Sequence, residues 1–404
     1  MPNSNAVSRR SFIQLAAAAS AAASLPIMTE AQLAYAQVKP RIASAPNRDA
    51  VMINANENPL GPSAVAREAI AKITPDGGRY LHDLSDELIH EFATMERLDP
   101  TYIDVYGGSS SPLHYTVLAF TSPQRSFITG DPGYEAGTFA AHLSGAKVHQ
   151  VPLVKGSYAH DVKAMVAADP NAGVLYITNP NNPTGTITSR QDIEWAVEHK
   201  PAGSVLLIDE AYIHFSDATP SLDLVKAGKD VVVLRTFSKL YGMAGLRCGF
   251  VIARPDLMDK ISAFNGWNSP PVTAVAAAIA SLRDDKLVAE RKKINADARA
   301  ETFEWLTKNG YSFVPSQSNC FMLDTRRNGN AVKDAMQQRG VYVGRVWPSW
   351  PSYVRVTVGT PTEMTAFCSA FKQVADAPVS AHLDGPRLTG ELRLPLSSRR
   401  NILS

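Results

Sequence analysis

Between residues 126 and 253, six short apolar runs recur with amphipathic stretches between them. They are Ser126–Thr129, Lys147–Val151, Val174–Thr178, Val205–Asp209, Val231–Thr236 and Gly249–Ala253. The helix candidates before and between them, over about 76–265, include Leu81–Glu96, Pro112–Thr121, Tyr134–Leu143 and Ser189–Glu198. A strand exposed on one face alternates polar and apolar residues; these runs are continuously apolar, so both of their faces are covered. Strand–helix alternation of this kind predicts a three-layer α/β/α domain around a mostly parallel sheet.

A chain of 404 residues is longer than one ordinary domain. After residue 268 the rhythm changes. A long helical region, Val272 to Asn309, is broken near Asp284-Asp285. It is followed by Ser312–Pro315, Cys320–Asp324, a helix Asn330–Arg339, Val341–Val343, Tyr353–Val358 and a helix Thr362–Ala375. This reads as a smaller α+β domain. The expected division is 1–36 as an export signal, 37–75 as an arm that begins the small domain, 76–267 as the large domain, 268–377 as the small domain and 378–404 as a poorly ordered tail. In the arm, Asn56-Glu57-Asn58-Pro59-Leu60-Gly61-Pro62 is turn chemistry, and Ser63 can cap a helix over Ala64–Ile73.

Ser8-Arg9-Arg10-Ser11-Phe12-Ile13 precedes an Ala-rich run from Leu15 to Leu25, and Ala34-Tyr35-Ala36 offers small residues two apart. A basic start, an apolar core and such a site make a secretory signal. The arginine pair resembles the twin-arginine signal, which implies the twin-arginine export machinery, export in the folded state and a periplasmic location. The apolar run is too short to span a bilayer well, and no membrane association is expected after cleavage. Forty basic residues against 38 acidic give a net charge of +2. Both ends are net positive, so the body of the chain lacks the basic excess of a nucleic-acid binder. Cys248, Cys320 and Cys368 have no metal-ligand spacing and sit in apolar surroundings, which reads as buried thiols; no metal site is expected.

The chemistry gathers at strand ends, where open α/β sheets place their ligands. Val231–Leu234 runs into Arg235-Thr236-Phe237-Ser238-Lys239. Val205–Ile208 ends in Asp209-Glu210-Ala211-Tyr212. Leu175–Thr178 ends in Asn179-Pro180-Asn181-Asn182-Pro183-Thr184-Gly185. Arg247 stands eight residues after Lys239. One sheet edge thus collects a lysine, a carboxylate, an amide, a phenol, an arginine and several hydroxyls. Gly107-Gly108-Ser109-Ser110-Ser111-Pro112 opens a helix, and bare amides at a helix start bind phosphate.

In these motifs, in Asn-Glu-Asn-Pro-Leu-Gly-Pro at 56–62 and in Val-Arg-Val-Thr-Val-Gly-Thr at 354–360, the chain resembles the fold-type-I pyridoxal-phosphate aminotransferases, specifically the histidinol-phosphate aminotransferase-like group. The likeness spans about residues 50–377. It implies the aspartate aminotransferase-like fold, pyridoxal 5'-phosphate as cofactor and a homodimer. It also implies ping-pong exchange of an amino group between amino acid and keto acid substrates. Lys239 would hold the cofactor and move the substrate proton, Asp209 would pair with the ring nitrogen, and Asn182 and Tyr212 would bond the ring oxygen. Tyr134 would stack on the ring. Arg247, Ser109, Ser110, Thr236 and Ser238 would hold the phosphate, with Tyr80 reaching the partner subunit's site. Arg355 would fork the substrate α-carboxylate, and Asn58 would face the substrate in place of the group's usual aromatic residue.

The chain departs from the group at several points. Ser110 and Ser111 replace an acidic pair, and His82 stands where an acidic or small residue is usual. The arginine that often follows Gly-Val-x-Val comes one place late, as Arg345. A substrate other than histidinol phosphate is therefore expected. Trp347 and Trp350 point to an aromatic or large side chain, with interface packing as the alternative reading. The same lysine and carboxylate could also serve an oxidase, lyase or decarboxylase. A non-catalytic binder would have no need of Lys239, Asp209 and Arg247 together.

Overall fold

The structure is a computed structural model that describes residues 49–266 and 268–377. The expected export signal, the first part of the arm and the C-terminal tail lie outside the described residues.

Seven strands form the main sheet: β2 (Ile103–Tyr106), β3 (Ser126–Asp131), β4 (Val148–Pro152), β5 (Ala172–Thr178), β6 (Val205–Asp209), β7 (Val231–Thr236) and β8 (Gly249–Ile252). Their order is β2-β8-β7-β6-β5-β3-β4, and β8 runs antiparallel to both neighbours while the rest share one direction. Every residue of β5, β6 and β7 is buried. Alternate residues feed opposite faces. Leu175, Ile177, Leu206, Ile208, Val231 and Val233 enter one core, while Val174, Tyr176, Val205, Leu207, Val232 and Leu234 enter the other. This period of two explains why the runs look continuously apolar. Each fully buried aliphatic side chain there contributes roughly 1.5–3 kcal/mol.

A second core lies around β1 (Val51–Ile53), β9 (Ser312–Phe313), β10 (Cys320–Asp324), β11 (Val341–Val343) and β12 (Tyr353–Thr357). β1 pairs in parallel with β11, so the arm is stitched into the smaller body. β12, β10 and β9 form an antiparallel sheet. Phe321, Leu323, Val354 and Val356 pack there against Phe367 and Phe371 of the last helix, Pro361–Asp376. That helix is held at its start by a reciprocal capping box between Thr360 and Glu363.

Two expectations change. The edge strand β2 has no place in the sequence reading, because Ile-Asp-Val-Tyr is too short to carry a period. The helix Val272–Leu282, expected with the small domain, buries Ala274, Val275 and Ala278 in the core of the large sheet beside Ala66 of the helix Ala64–Ile73. Its composition (five alanines and two valines in eleven residues) suits close packing on a neighbour and does not reveal which one. All three cysteines are buried, and among the described residues no helix is long and apolar enough to cross a membrane.

Candidate active site

The strands β5, β6 and β7 end together. Thr178 lies opposite Asp209 in the ladder, and Asp209 opposite Leu234. Just beyond them is a cavity of about 240 Å³, lined by Ser109, Ser110, Tyr134, Asn182, Asp209, Tyr212, Thr236, Ser238, Lys239 and Arg247, with Ala55, Glu57 and Thr178. The loops that leave the carboxyl ends of the parallel strands all open at this one edge, and the arm after β1 brings Ala55 and Glu57 to it.

Asp209 closes β6 and is buried. Tyr176 donates its hydroxyl to Oδ2 at 3.0 Å, and the Ala211 amide donates to Oδ1 at 3.1 Å. Burial raises the carboxyl pKa to about 6, against the opposing pull of these two bonds and of the Lys239 charge. Lys239 follows β7 on a tight turn in which the Ser238 amide donates to Thr236 Oγ1 at 3.1 Å. Its Nζ lies 5.5 Å from the centre of the Tyr212 ring and 3.5 Å from the Ala55 carbonyl oxygen.

The opposite end of the cavity suits an anion. The helix Ser110–Phe120 begins there, and its N-cap Ser109 makes no side-chain capping bond. Arg247 Nη1 donates to Ser238 Oγ at 3.2 Å and to the Ala244 carbonyl at 2.9 Å. Arg247 itself adopts φ +68°, a conformation that costs a non-glycine residue about 1–3 kcal/mol and clusters at functional sites. Gly108, at φ +92°, makes room for it: a Cβ there would lie 2.2 Å from Arg247 Nη2. Burial lowers the Arg247 pKa, the signature of a guanidinium stripped of water.

Three expected residues stand outside the cavity lining. Arg355, on β12, is fully buried behind it, donating from Nη1 to Asn182 Oδ1 at 3.0 Å and from Nη2 to the Asn54 carbonyl at 2.6 Å. Asn58 donates to the Leu240 carbonyl at 2.8 Å and stands outside the lining of this cavity. Its neighbour Asn56 is the inward residue. Asn56 is buried at φ +52°, and its Nδ2 donates to Tyr212 Oη at 3.1 Å. The turn chemistry of 56–62 locates this segment but does not tell which asparagine turns in. Tyr80 is 79% exposed and stacked on His82 beside a surface groove lined by Ile89, Asp104 and Asn268. Tyr176 is a further contributor that sequence reading passes over, since it is one more apolar member of a buried strand until the Asp209 bond is seen.

The arginine displaced by one place has a structural reason. At Gly344 a Cβ would lie 2.8 Å from the Arg355 carbonyl oxygen and 3.0 Å from its Nε. Arg345 instead turns onto Glu135, with Nη1 to Oε2 at 2.7 Å, and lies 4.6 Å from the Trp347 ring. Trp347 is buried, donates Nε1–H to the Gly133 carbonyl at 2.8 Å, and has the Arg355 guanidinium 5.7 Å from its ring. Trp350 packs against Tyr158 and Tyr353. Neither tryptophan lines the cavity; both pack against residues of this chain and do not argue for an aromatic substrate.

The donor set is selective. One end offers hydroxyls, a helix start and a guanidinium without a carboxylate among them; the middle offers a buried carboxylate opposite a lysine. These groups fit a phosphorylated aldehyde with a basic ring nitrogen. The family model for aminotransferase class I and II matches residues 48–371. The chain belongs to this family. The enzyme is 34% identical over 363 residues to a histidinol-phosphate aminotransferase of Symbiobacterium thermophilum, covering 85% of this chain and 98% of the relative. Among solved structures, a candidate histidinol-phosphate aminotransferase from Erwinia carotovora atroseptica superposes with a TM-score of 0.78 at 28% identity, covering 82% of this chain and 98% of that one. The Sinorhizobium meliloti histidinol-phosphate aminotransferase in complex with pyridoxal 5'-phosphate superposes with a TM-score of 0.75 at 24% identity, covering 92% and 98%. The enzyme is a pyridoxal-phosphate-dependent aminotransferase with the fold-type-I architecture.

Proposed function

We infer that the enzyme transaminates an α-amino acid with an uncharged side chain, and not histidinol phosphate, by a ping-pong exchange with a keto acid. The observation that carries this reading is the Arg345–Glu135 ion pair. The cation nearest in sequence to the group's distal arginine is already neutralised by a carboxylate of the enzyme, and a distal phosphate would have to displace it. Position 344 has no room for a side chain.

Pyridoxal phosphate supplies, when bound, an aldehyde for the amine and a ring that withdraws electrons from the substrate α-carbon. The enzyme's own residues do the rest. Asp209 presents a carboxylate to the ring nitrogen, with Tyr176 and the Ala211 amide keeping it ionised. Ser109, Ser110, Thr236, Ser238 and Arg247 would hold the cofactor's phosphate. Asn182 and Tyr212 would bond the ring oxygen, and Asn56 orients Tyr212 by donating to its hydroxyl. Lys239 is the amine that can take and return the proton at the substrate α-carbon. Arg355 turns the substrate by its α-carboxylate. The reading further holds the enzyme to be a homodimer in which Tyr80 serves the neighbouring site, and to be exported to the periplasm by the twin-arginine route. Tyr80's exposure and the Arg9-Arg10 segment support these two points.

The test is to mix yellow holoenzyme with L-leucine, L-phenylalanine, L-glutamate or L-histidinol phosphate without acceptor. Loss of colour with the neutral amino acids, reversed by a 2-keto acid, is the expected result; preference for histidinol phosphate overturns the reading. Release of ammonia or hydrogen peroxide with the colour retained assigns a lyase or oxidase instead. For the location, signal-dependent recovery in the periplasmic fraction, abolished by R9K/R10K, is expected; retention of the native chain in the cytoplasm refutes it.

A further inference from the structure

The segment after β11 meets the turn after β3 in three regular rungs. Arg345 Nη1 donates to Glu135 Oε2 at 2.7 Å, Trp347 Nε1 donates to the Gly133 carbonyl at 2.8 Å, and Ser349 Oγ donates to Asp131 Oδ1 at 2.9 Å. The contacts fall on alternate residues of each segment, and the two segments run in opposite directions. One segment carries Tyr134, which lines the cavity. The other leads into β12 and Arg355. In the middle rung Trp347 is 2% exposed, and the Arg345 and Arg355 guanidinium groups lie 4.6 and 5.7 Å from the centre of its ring. Gly133 is confined as well, since a Cβ there would lie 2.4 Å from the Gly130 carbonyl oxygen.

We propose that these rungs form a clasp that couples the cofactor-facing turn 131–135 to the substrate-carboxylate arginine, with Trp347 as the positioning residue that sets the Arg355 fork. A planar guanidinium binds a carboxylate well only when its plane is fixed, and an arginine side chain left to itself samples many rotamers. Asn182 and Asn54 fix two of its nitrogens. The indole supplies the surface against which the plane is held, with a cation–π attraction. The Nε1–H bond to Gly133 in turn fixes the indole relative to Tyr134. The clasp therefore transmits the position of the ring-facing turn to the carboxylate site, two parts of the enzyme supplied by different cores.

This inference rests on the reading of Arg355 as the carboxylate ligand, so its test separates the two. L-leucine and L-leucinamide differ only in the carboxylate. The rate of colour loss of the holoenzyme with each gives a carboxylate discrimination factor. Trp347→Phe keeps an aromatic face but cannot bond Gly133. It is expected to lower the apparent second-order rate with leucine about tenfold, through KM more than kcat, and to leave the rate with leucinamide within about twofold. Ser349→Ala cuts the outermost, solvent-facing rung without touching the core and is expected to move the same factor in the same direction by about twofold. A merely structural tryptophan would slow both substrates alike, and equal losses, or an unchanged factor in both variants, overturn the clasp. Arg355→Lys is the control: if it leaves the discrimination intact, the carboxylate role of Arg355 falls and the clasp with it.

Discussion

Glu135→Gln isolates the electrostatic side of substrate choice. Glutamine preserves the shape of the residue and removes the charge that neutralises Arg345. The pair is 2.7 Å apart at its closest atoms, with the arginine side chain 2% exposed and the glutamate 28% exposed. Two unit charges centred about 4 Å apart attract by about 4 kcal/mol at an effective dielectric constant of about 20. Part of that is lost to solvent on the glutamate side, so roughly 2 kcal/mol of preference for a distal anion should be released. That is about thirtyfold in relative rate. L-glutamate and L-glutamine form the matched probe pair, being nearly isosteric and differing in the distal charge. The quantity to measure is the ratio of kcat/KM for glutamate to that for glutamine, in wild type and variant, at one salt concentration. Taking the ratio cancels any general loss from weakening the first rung of the clasp. The ratio should rise about thirtyfold in the variant, and the rise should shrink at high salt. An unchanged ratio would mean that Arg345 does not face the distal part of the substrate, and the argument from its neutralisation would fail.

Three further perturbations test the cofactor end. For the buried Asp209 carboxyl, with its pKa raised from 3.8 to about 6, the folded apoprotein binds the proton more tightly than the unfolded chain. Its contribution to stability is thus fully present below about pH 4 and lost as pH rises through 6. Asp209→Asn should therefore make the apoprotein more stable than wild type above pH 6, by up to ~3 kcal/mol, while weakening cofactor binding; thermal melts of apo and loaded forms against pH check both. Tyr176→Phe removes a bond that favours the Asp209 carboxylate, so the pH below which the enzyme loses cofactor should move up by about one unit, as read by titrating the coloured form. Gly108→Ala places a Cβ 2.2 Å from Arg247 Nη2 at φ +92°, and equilibrium dialysis should show cofactor affinity reduced by at least about tenfold, with the far-ultraviolet spectrum unchanged.

The parts of this enzyme that are legible in its sequence are those set by short-range rules. A strand covered on both faces is an uninterrupted apolar run wherever it occurs, and β6 and β7 have the bounds that their residues suggest. Polar residues immediately after such runs must lie at one sheet edge, which is why Asn182, Asp209, Tyr212 and Lys239 can be grouped without coordinates. The residues that escape are those whose meaning depends on a partner far along the chain. Val272–Leu282 looks the same whichever core it enters. Asn56 and Asn58 differ only in which one the turn rotates toward Tyr212, some 150 residues away in sequence.

The clasp is the extreme of this class. Its two segments lie about 210 residues apart, and each rung joins a common residue type to another. Nothing local marks Trp347 as different from any tryptophan that fills a core. Its position between two arginines follows only once β11 and β12 are laid beside the end of β3. A substitution at 347 that preserves hydrophobicity and volume satisfies every rule that can be read from neighbouring residues. It still removes the middle of the three donors that tie the ring-facing turn to the segment leading to the carboxylate site. The carboxylate discrimination factor is therefore the sharper measure, since a hydrophobic replacement can keep the melting temperature while the two substrate-binding halves lose their alignment.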